Sequence, residues 1–252
     1  MPRGVNPYDE GRLQGRNVAS ANSSNIVSPG IVTDGLVLHL DAGNYNSYPI
    51  AGTAWYDLMG IGNNVTLTNG PVYARDGGGS ISFDGTNDYA DFFAPNLGTT
   101  TTVEMWCKIG AGYSNKMFFG WLRYDVWCSG GNIGFNTAAS DLRGISSATV
   151  TALGLVNNWK HYIFEMRSDV SYTNNKIYIN TSSQTLTQLL GTENTNNRTF
   201  NSGNGRIAIW RNDLNTNFIM PMNLASFRVY NRALTQAEIE QNFSASRARF
   251  GI

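Results

Sequence analysis

The sequence predicts an all-β protein: a two-sheet antiparallel sandwich with one short C-terminal helix and an extended N-terminal arm. Three observations carry this. Short runs with period-2 alternation recur along the chain, separated by Asn- and Gly-rich breaks. The composition, 30 Asn and 27 Gly in 252 residues, suits turns, positive-φ positions and exposed strand faces. Only one stretch, near the C-terminus, carries a complete helix signature. A chain of this length can enclose one well-buried core, and sandwiches of this size are routinely a single domain.

Residues 1–33 are the arm. They hold Pro2, Pro7, Pro29 and a polar run from Asn17 to Asn25, with no sustained apolar period. Isolated, such a segment cannot bury enough surface to offset its ordering entropy. It is expected to lie along its own sandwich or to anchor on a neighbouring subunit, through Arg3, Arg12, Leu13, Arg16, Val18 and Ile26.

Residues 34–252 are the sandwich. Strand candidates fall at 35–40, 80–84, 88–93, 101–109, 116–122, 125–129, 132–136, 159–167, 175–180, 206–211 and 223–230. In 159–167, Tyr162, Phe164 and Met166 alternate with His161, Ile163 and Glu165. In 101–109, Cys107 shares the face of Val103, Met105 and Ile109 and reads as a small buried hydrophobe. Cys128 is the only other cysteine; two at this spacing give neither a zinc pattern nor a disulfide framework, and they can pair only if their strands are neighbours. The Ser/Thr/Asn-rich stretch between 181 and 204 reads as a long exposed loop with room for one short strand.

The last thirty residues are the most informative. Ala225, Phe227 and Val229 share one strand face, and Ser226, Arg228 and Tyr230 the other. A helix over 236–245 follows: Thr235 at the N-cap and Glu238 at N3 form a capping box, and Leu234 can staple onto Ile239. Ile239 and Phe243 lie four apart on one helix face. Phe227 and Phe243 are therefore expected to bury together where the helix meets its strand.

This ending, FRVYNRALTQAEIEQNF, resembles the closing segment of the laminin-G-like branch of the concanavalin A-like lectin/glucanase superfamily. Trp55-Tyr56-Asp57-Leu58 is similar to that family's W-x-D-L turn, and Phe83-Asp84-Gly85-Thr86-Asn87-Asp88-Tyr89 to its F-D-G-x-x-D-Y hairpin, in the same order along the chain. The resemblance covers roughly residues 34 to 250 and implies a jelly-roll sandwich. LHLDAGN at 38–44 and RARFGI at 247–252 are similar to domains of tailed-bacteriophage structural proteins. That narrower likeness implies a virion protein, such as a capsid decoration protein docked through its arm on capsid or tail proteins, in many copies or as a homo-oligomer. The competing expectation is a glycan-binding adhesin or tail-fibre component.

Composition narrows the chemistry. Formal net charge is zero with 14% charged residues, which leaves no electrostatic footprint for nucleic acid. No apolar run approaches the ~18–20 residues of a membrane span. The first residues, MPRGVNPYDEGRLQGRN, lack the apolar region of a secretory signal. The expectation is a virion part made in the host cytoplasm and released by lysis, or a protein that stays inside a cell.

No enzyme is expected. Retaining glucanases of this superfamily carry an E-x-D-x-x-E strand, since retention needs two carboxylates about 5 Å apart. Of six glutamates, none begins that spacing. His39 and His161 both lie in strands, without a nucleophile elbow. No cofactor is required; calcium alone has a physical case, from Asp41, Asp84 and Asp88 at loops, although turn capping explains the same residues. Sugar binding needs aromatic faces beside amides or carboxylates. The candidates are Trp106 and Trp210, which one sheet could display together, with Tyr124 and Trp127 near loops.

Overall fold

The computed structural model describes residues 30–200, 203–210 and 216–252. Two antiparallel sheets face each other. The first runs β14 (Ser182–Ser183), β13 (Lys176–Ile179), β12 (Lys160–Arg167), β7 (Thr100–Ile109), β17 (Pro221–Tyr230), β5 (Ser80–Asp84) and β4 (Val72–Ala74), and β1 (Leu36–Asp41) pairs with the second half of β17. The second runs β15 (Thr187–Leu190), β11 (Leu142–Ile145), β10 (Asn132–Asn136), β9 (Asp125–Ser129), β8 (Met117–Gly120), β16 (Asn204–Ile207), β6 (Tyr89–Phe93), β3 (Val65–Thr68) and β2 (Ala54–Trp55). This is the jelly-roll sandwich the sequence predicts.

Inward-facing side chains from both sheets build an aromatic-rich core. Phe227 of β17 meets Phe92 of β6 at 5.3 Å and Phe119 of β8 at 5.8 Å between ring centroids. Cys107 and Cys128 are buried and free, on opposite sheets rather than on neighbouring strands. The polar stretch after residue 181 is less loop-like than expected. Its β15 closes the edge of the second sheet against β11, and Glu193 accepts from Ser171 Oγ and the Tyr172 amide, both at 2.7 Å. A short helix, α1 (Ser147–Ala152), capped by Ser146, is an addition the sequence reading lacked.

The C-terminal helix α2 (Gln236–Ser246) has the capping box in full, with Thr235 and Glu238 satisfying each other's amides. Leu234 and Ile239 join one small cluster with Val32, Leu36, Ile163, Tyr178 and Tyr230 on the outer face of the first sheet. That placement corrects the expected Phe227–Phe243 pair. Phe227 points into the inter-sheet core, whereas Phe243 stacks on Trp106, 5.6 Å away, on the opposite face.

Beneath α2 lies a buried polar knot centred on Glu104 of β7. Its carboxylate accepts from Arg228 Nη1 at 2.6 Å and Asn242 Nδ2 at 2.6 Å, with Tyr230 Oη at 3.3 Å and His161 Nε2 at 3.0 Å. Asn242 in turn accepts the Val32 amide at 2.7 Å, and the single Tyr230 hydroxyl proton is shared between Glu104 and the Val32 carbonyl, 3.1 Å away. The chain thus joins the sandwich before residue 33: Val32 pairs with this knot, Ile31 packs on the cluster under α2, and the Gly30 carbonyl accepts from Gln241 Nε2 at 2.7 Å. The expected anchors Arg3, Arg12, Leu13, Arg16, Val18 and Ile26 lie outside the described residues.

Candidate aromatic site on the second sheet

β9 and β10 pair with Ile133 opposite Cys128 and Phe135 opposite Val126, and these four face the core. The alternation puts Asp125, Trp127, Gly134 and Asn136 on the outer face. Gly134 stands opposite Trp127, so no side chain competes with the indole there. A Cβ at Gly120, opposite Asp125 on β8, would come within 2.3 Å of the Asp125 Cβ; glycine makes room for that buried acid.

Trp127 and Trp210 meet across a pocket of about 80 Å³, walled by Met117, Phe218, Asn136, Ala138 and Ser140. Trp210 and Phe218 stack at 6.4 Å. Ala138 and Ser140 both take left-handed backbone, φ 61° and 53°. Such strain persists only where surrounding structure enforces it, and here Asp141 does so, accepting from the Thr137 amide at 2.8 Å and hydroxyl at 2.6 Å. Asn136 is 2% exposed; its Nδ2 donates to Asp125 Oδ2 at 2.9 Å. Burial pushes the Asp125 carboxyl well above the ordinary carboxylate range; the Asn136 hydrogen bond pulls the other way, while the Asp141 charge adds to the rise. Three polar atoms on residues lining this pocket are buried without a partner among the described residues: Asn136 Oδ1, Trp127 Nε1 and Trp210 Nε1. Buried polar groups are normally paired, so these three are candidates for a ligand's hydrogen bonds.

The other sugar candidates do not join this site. Trp106 belongs to the first sheet and is fully buried beneath α2, with Nε1 donating to Ser246 Oγ at 2.8 Å. The expectation that one sheet displays Trp106 with Trp210 is thus corrected. Tyr124 is also fully buried, its hydroxyl donating to the Arg167 carbonyl at 3.1 Å. Asn136 and Asp125 were missed, since an isolated amide or acid in a short strand has no distinguishing spacing.

The calcium candidates are engaged otherwise. Asp84 Oδ1 accepts the Thr86 and Asn87 amides at 2.7 and 3.1 Å, and Asp88 Oδ2 accepts the Asp84 amide at 3.1 Å. Asp41 Oδ1 is held by Arg249 Nη1 at 2.6 Å. Among the described residues no three acids, histidines or cysteines converge as a metal site. A larger cleft of about 630 Å³ is lined by residues 96–99, Ser168, Arg198, Thr199, Phe200 and Gly203; the Arg198 guanidinium there is met by Glu193 at 2.7 Å.

The sequence profile of the concanavalin A-like lectin/glucanases superfamily matches residues 84–240, more than half the chain. The chain belongs to that superfamily. No curated protein sequence matches it. Among solved structures, this lectin-like sandwich is similar to the receptor-binding domain of botulinum neurotoxin C/D mosaic serotype, with TM-score 0.58 and 13% identity over 84% of this chain and 51% of that one. It is also similar to the binding domain of Paraclostridial Mosquitocidal Protein 1 (TM-score 0.54, 15% identity, 83% and 52% covered). A third likeness is to Trypanosoma rangeli sialidase in complex with sialic acid (TM-score 0.58, 15% identity, 87% and 34%). The superfamily member described here spans about half the length of the toxin domains and a third of the sialidase. At these identities the likeness is one of fold.

Proposed function

We propose that this protein is a non-enzymatic, glycan-recognising structural component of a tailed-phage particle, a capsid decoration protein docked through its N-terminal arm. One observation carries the glycan part: two half-buried indoles flank a pocket where the Asn136 amide oxygen and both indole N–H groups lack partners among the described residues. An apolar wall with a few convergent polar groups is what a sugar's C–H face and hydroxyls require. The lectin-like fold of the toxin binding domains supports the same reading. Against catalysis, the glutamates of the sandwich are committed: Glu104 to Arg228, Glu165 buried beside Lys176 at 3.6 Å, Glu193 to Arg198. The virion part is supported by LHLDAGN and RARFGI. The aromatic pocket also suits an adhesin or tail fibre, and electron microscopy of the intact particle separates the two by position.

Trp127→Ala is expected to weaken glycan binding about tenfold or more while leaving the melting transition cooperative. A glycan array on which the wild-type chain finds no ligand overturns the glycan reading. Deleting residues 1–29, which spares Gly30 and Val32 at α2, is expected to abolish incorporation into particles yet leave a cooperatively melting sandwich. Unimpaired incorporation of that truncation overturns docking through the arm.

A further inference from the structure

We propose that the Trp127–Trp210 pocket receives an acetamido group, so that the ligand class is N-acetylated hexosamine; this rests on the glycan reading above. Size is the first argument. About 80 Å³ accommodates a substituent of a sugar, with its ring outside against the indoles. Polarity is the second. Asn136 spends its Nδ2 on Asp125, leaving Oδ1 as an unpartnered acceptor, while Trp127 and Trp210 each hold an unpartnered N–H donor. An acetamido group supplies the complement: one N–H for Asn136 Oδ1, one carbonyl for an indole N–H, and a methyl for Met117, Ala138 and Phe218. A ring hydroxyl in the same place brings no methyl and leaves the apolar wall unfilled.

Selectivity points the same way. A site with buried hydrogen-bonding groups rejects an analogue that leaves them unpaired, more strongly than an apolar pocket rejects a missing methylene. All three polar atoms are shielded from solvent in the unliganded pocket, so a ligand that pairs with them has to shift lining side chains. Binding must therefore move the indole N–H resonances of Trp127 and Trp210 together.

The test is calorimetry on the full chain with tri-N-acetylchitotriose and cellotriose, which share the β-1,4 backbone and differ at C2. The acetylated trimer is expected to bind about tenfold tighter, the effect of one to two recovered hydrogen bonds, and Asn136→Leu to bring the ratio close to one. Should Asn136→Leu fail to fold, the wild-type chain still decides by NMR. N-acetylglucosamine, and not glucose, is expected to shift both indole N–H signals. Equal affinity for the two trimers, or shifts of neither indole, overturns the acetamido inference and leaves the glycan reading standing. So does tight binding of an unacetylated glycan when tri-N-acetylchitotriose does not bind. Absence of any glycan ligand overturns both.

Discussion

Glu104→Gln is expected to lower the unfolding free energy by about 3–5 kcal/mol, the cost of leaving one partner of a buried ion pair uncompensated. The carboxylate is fully buried, and Arg228, also buried, is its nearest cation at 2.6 Å. Glutamine keeps the shape but strands the guanidinium. It also weakens the acceptor for Asn242, and with it the hold on α2 and Val32. Equilibrium denaturation measures the effect, and a loss below about 1 kcal/mol shows that the knot contributes little. Replacing Glu104 and Arg228 together by methionine is expected to cost much less than the sum of the single changes, because no charge is then left buried alone.

The same residues set the acid limb of stability. Burial alone raises the Glu104 carboxyl, but the Arg228 charge, with His161 and Asn242, outweighs it and holds it at about 2, against an ordinary 4.5. A lowered folded value means that the unfolded chain binds the proton first. This contribution is complete above pH 4.5 and is lost as pH falls towards 2. His39, lowered from 6.5 to about 4 by burial and then by Arg228, adds a second loss between those values. Its neutral ring is what the folded state accepts, so stability falls as pH falls through this window. His39→Asn is expected to flatten the upper step and Glu104→Gln the lower one, in urea titrations across the acid range. Persistence of both steps in the variants shows that other groups set the acid limb.

The C-terminal strand and helix were legible because their signals are local. Thr235 and Glu238 form a capping box whatever the rest of the chain does, and β17 alternates cleanly. What could not be read was which face of β17 the helix covers. Both faces of β7 and β17 are buried almost throughout, one by the opposite sheet and one by α2 with the C-terminal tail. Where both faces are covered, period-2 alternation separates the faces without saying what lies on each. That is why Phe243 was paired with Phe227 instead of Trp106, and why Trp106 looked available to a ligand. β2, β3, β4 and β11 have two to four residues each, too few to carry a period. Of the candidate site, the tryptophans on β9 and after β16 were legible as residue types. Their meeting with Asn136 depends on sheet order, which no local pattern encodes.

Trp106→Ala is expected to cost about 3–5 kcal/mol, the range for truncating a buried large aromatic, and to free the end of the chain. The indole is the floor on which the tail rests. Phe250 stacks on it at 4.1 Å with planes 10° apart, Phe243 lies at 5.6 Å and 16°, and His161 packs at 5.0 Å. Its N–H also fixes Ser246, in the last turn of α2. Each such ring pair contributes about 0.5–1.5 kcal/mol beyond its buried area, so several are lost at once. Phe227→Ala provides the contrast. It removes a ring of similar burial from the inter-sheet core and is expected to destabilise by a similar amount. The tail contacts, on the other face of the sheet, stay in place in that variant. Limited proteolysis under native conditions distinguishes the two: cleavage within 243–252 is expected to accelerate in Trp106→Ala and to stay near the wild-type rate in Phe227→Ala. Equal tail cleavage in both variants means that the outer layer melts with the core rather than docking on it, and the two-face assignment of β7 and β17 then fails.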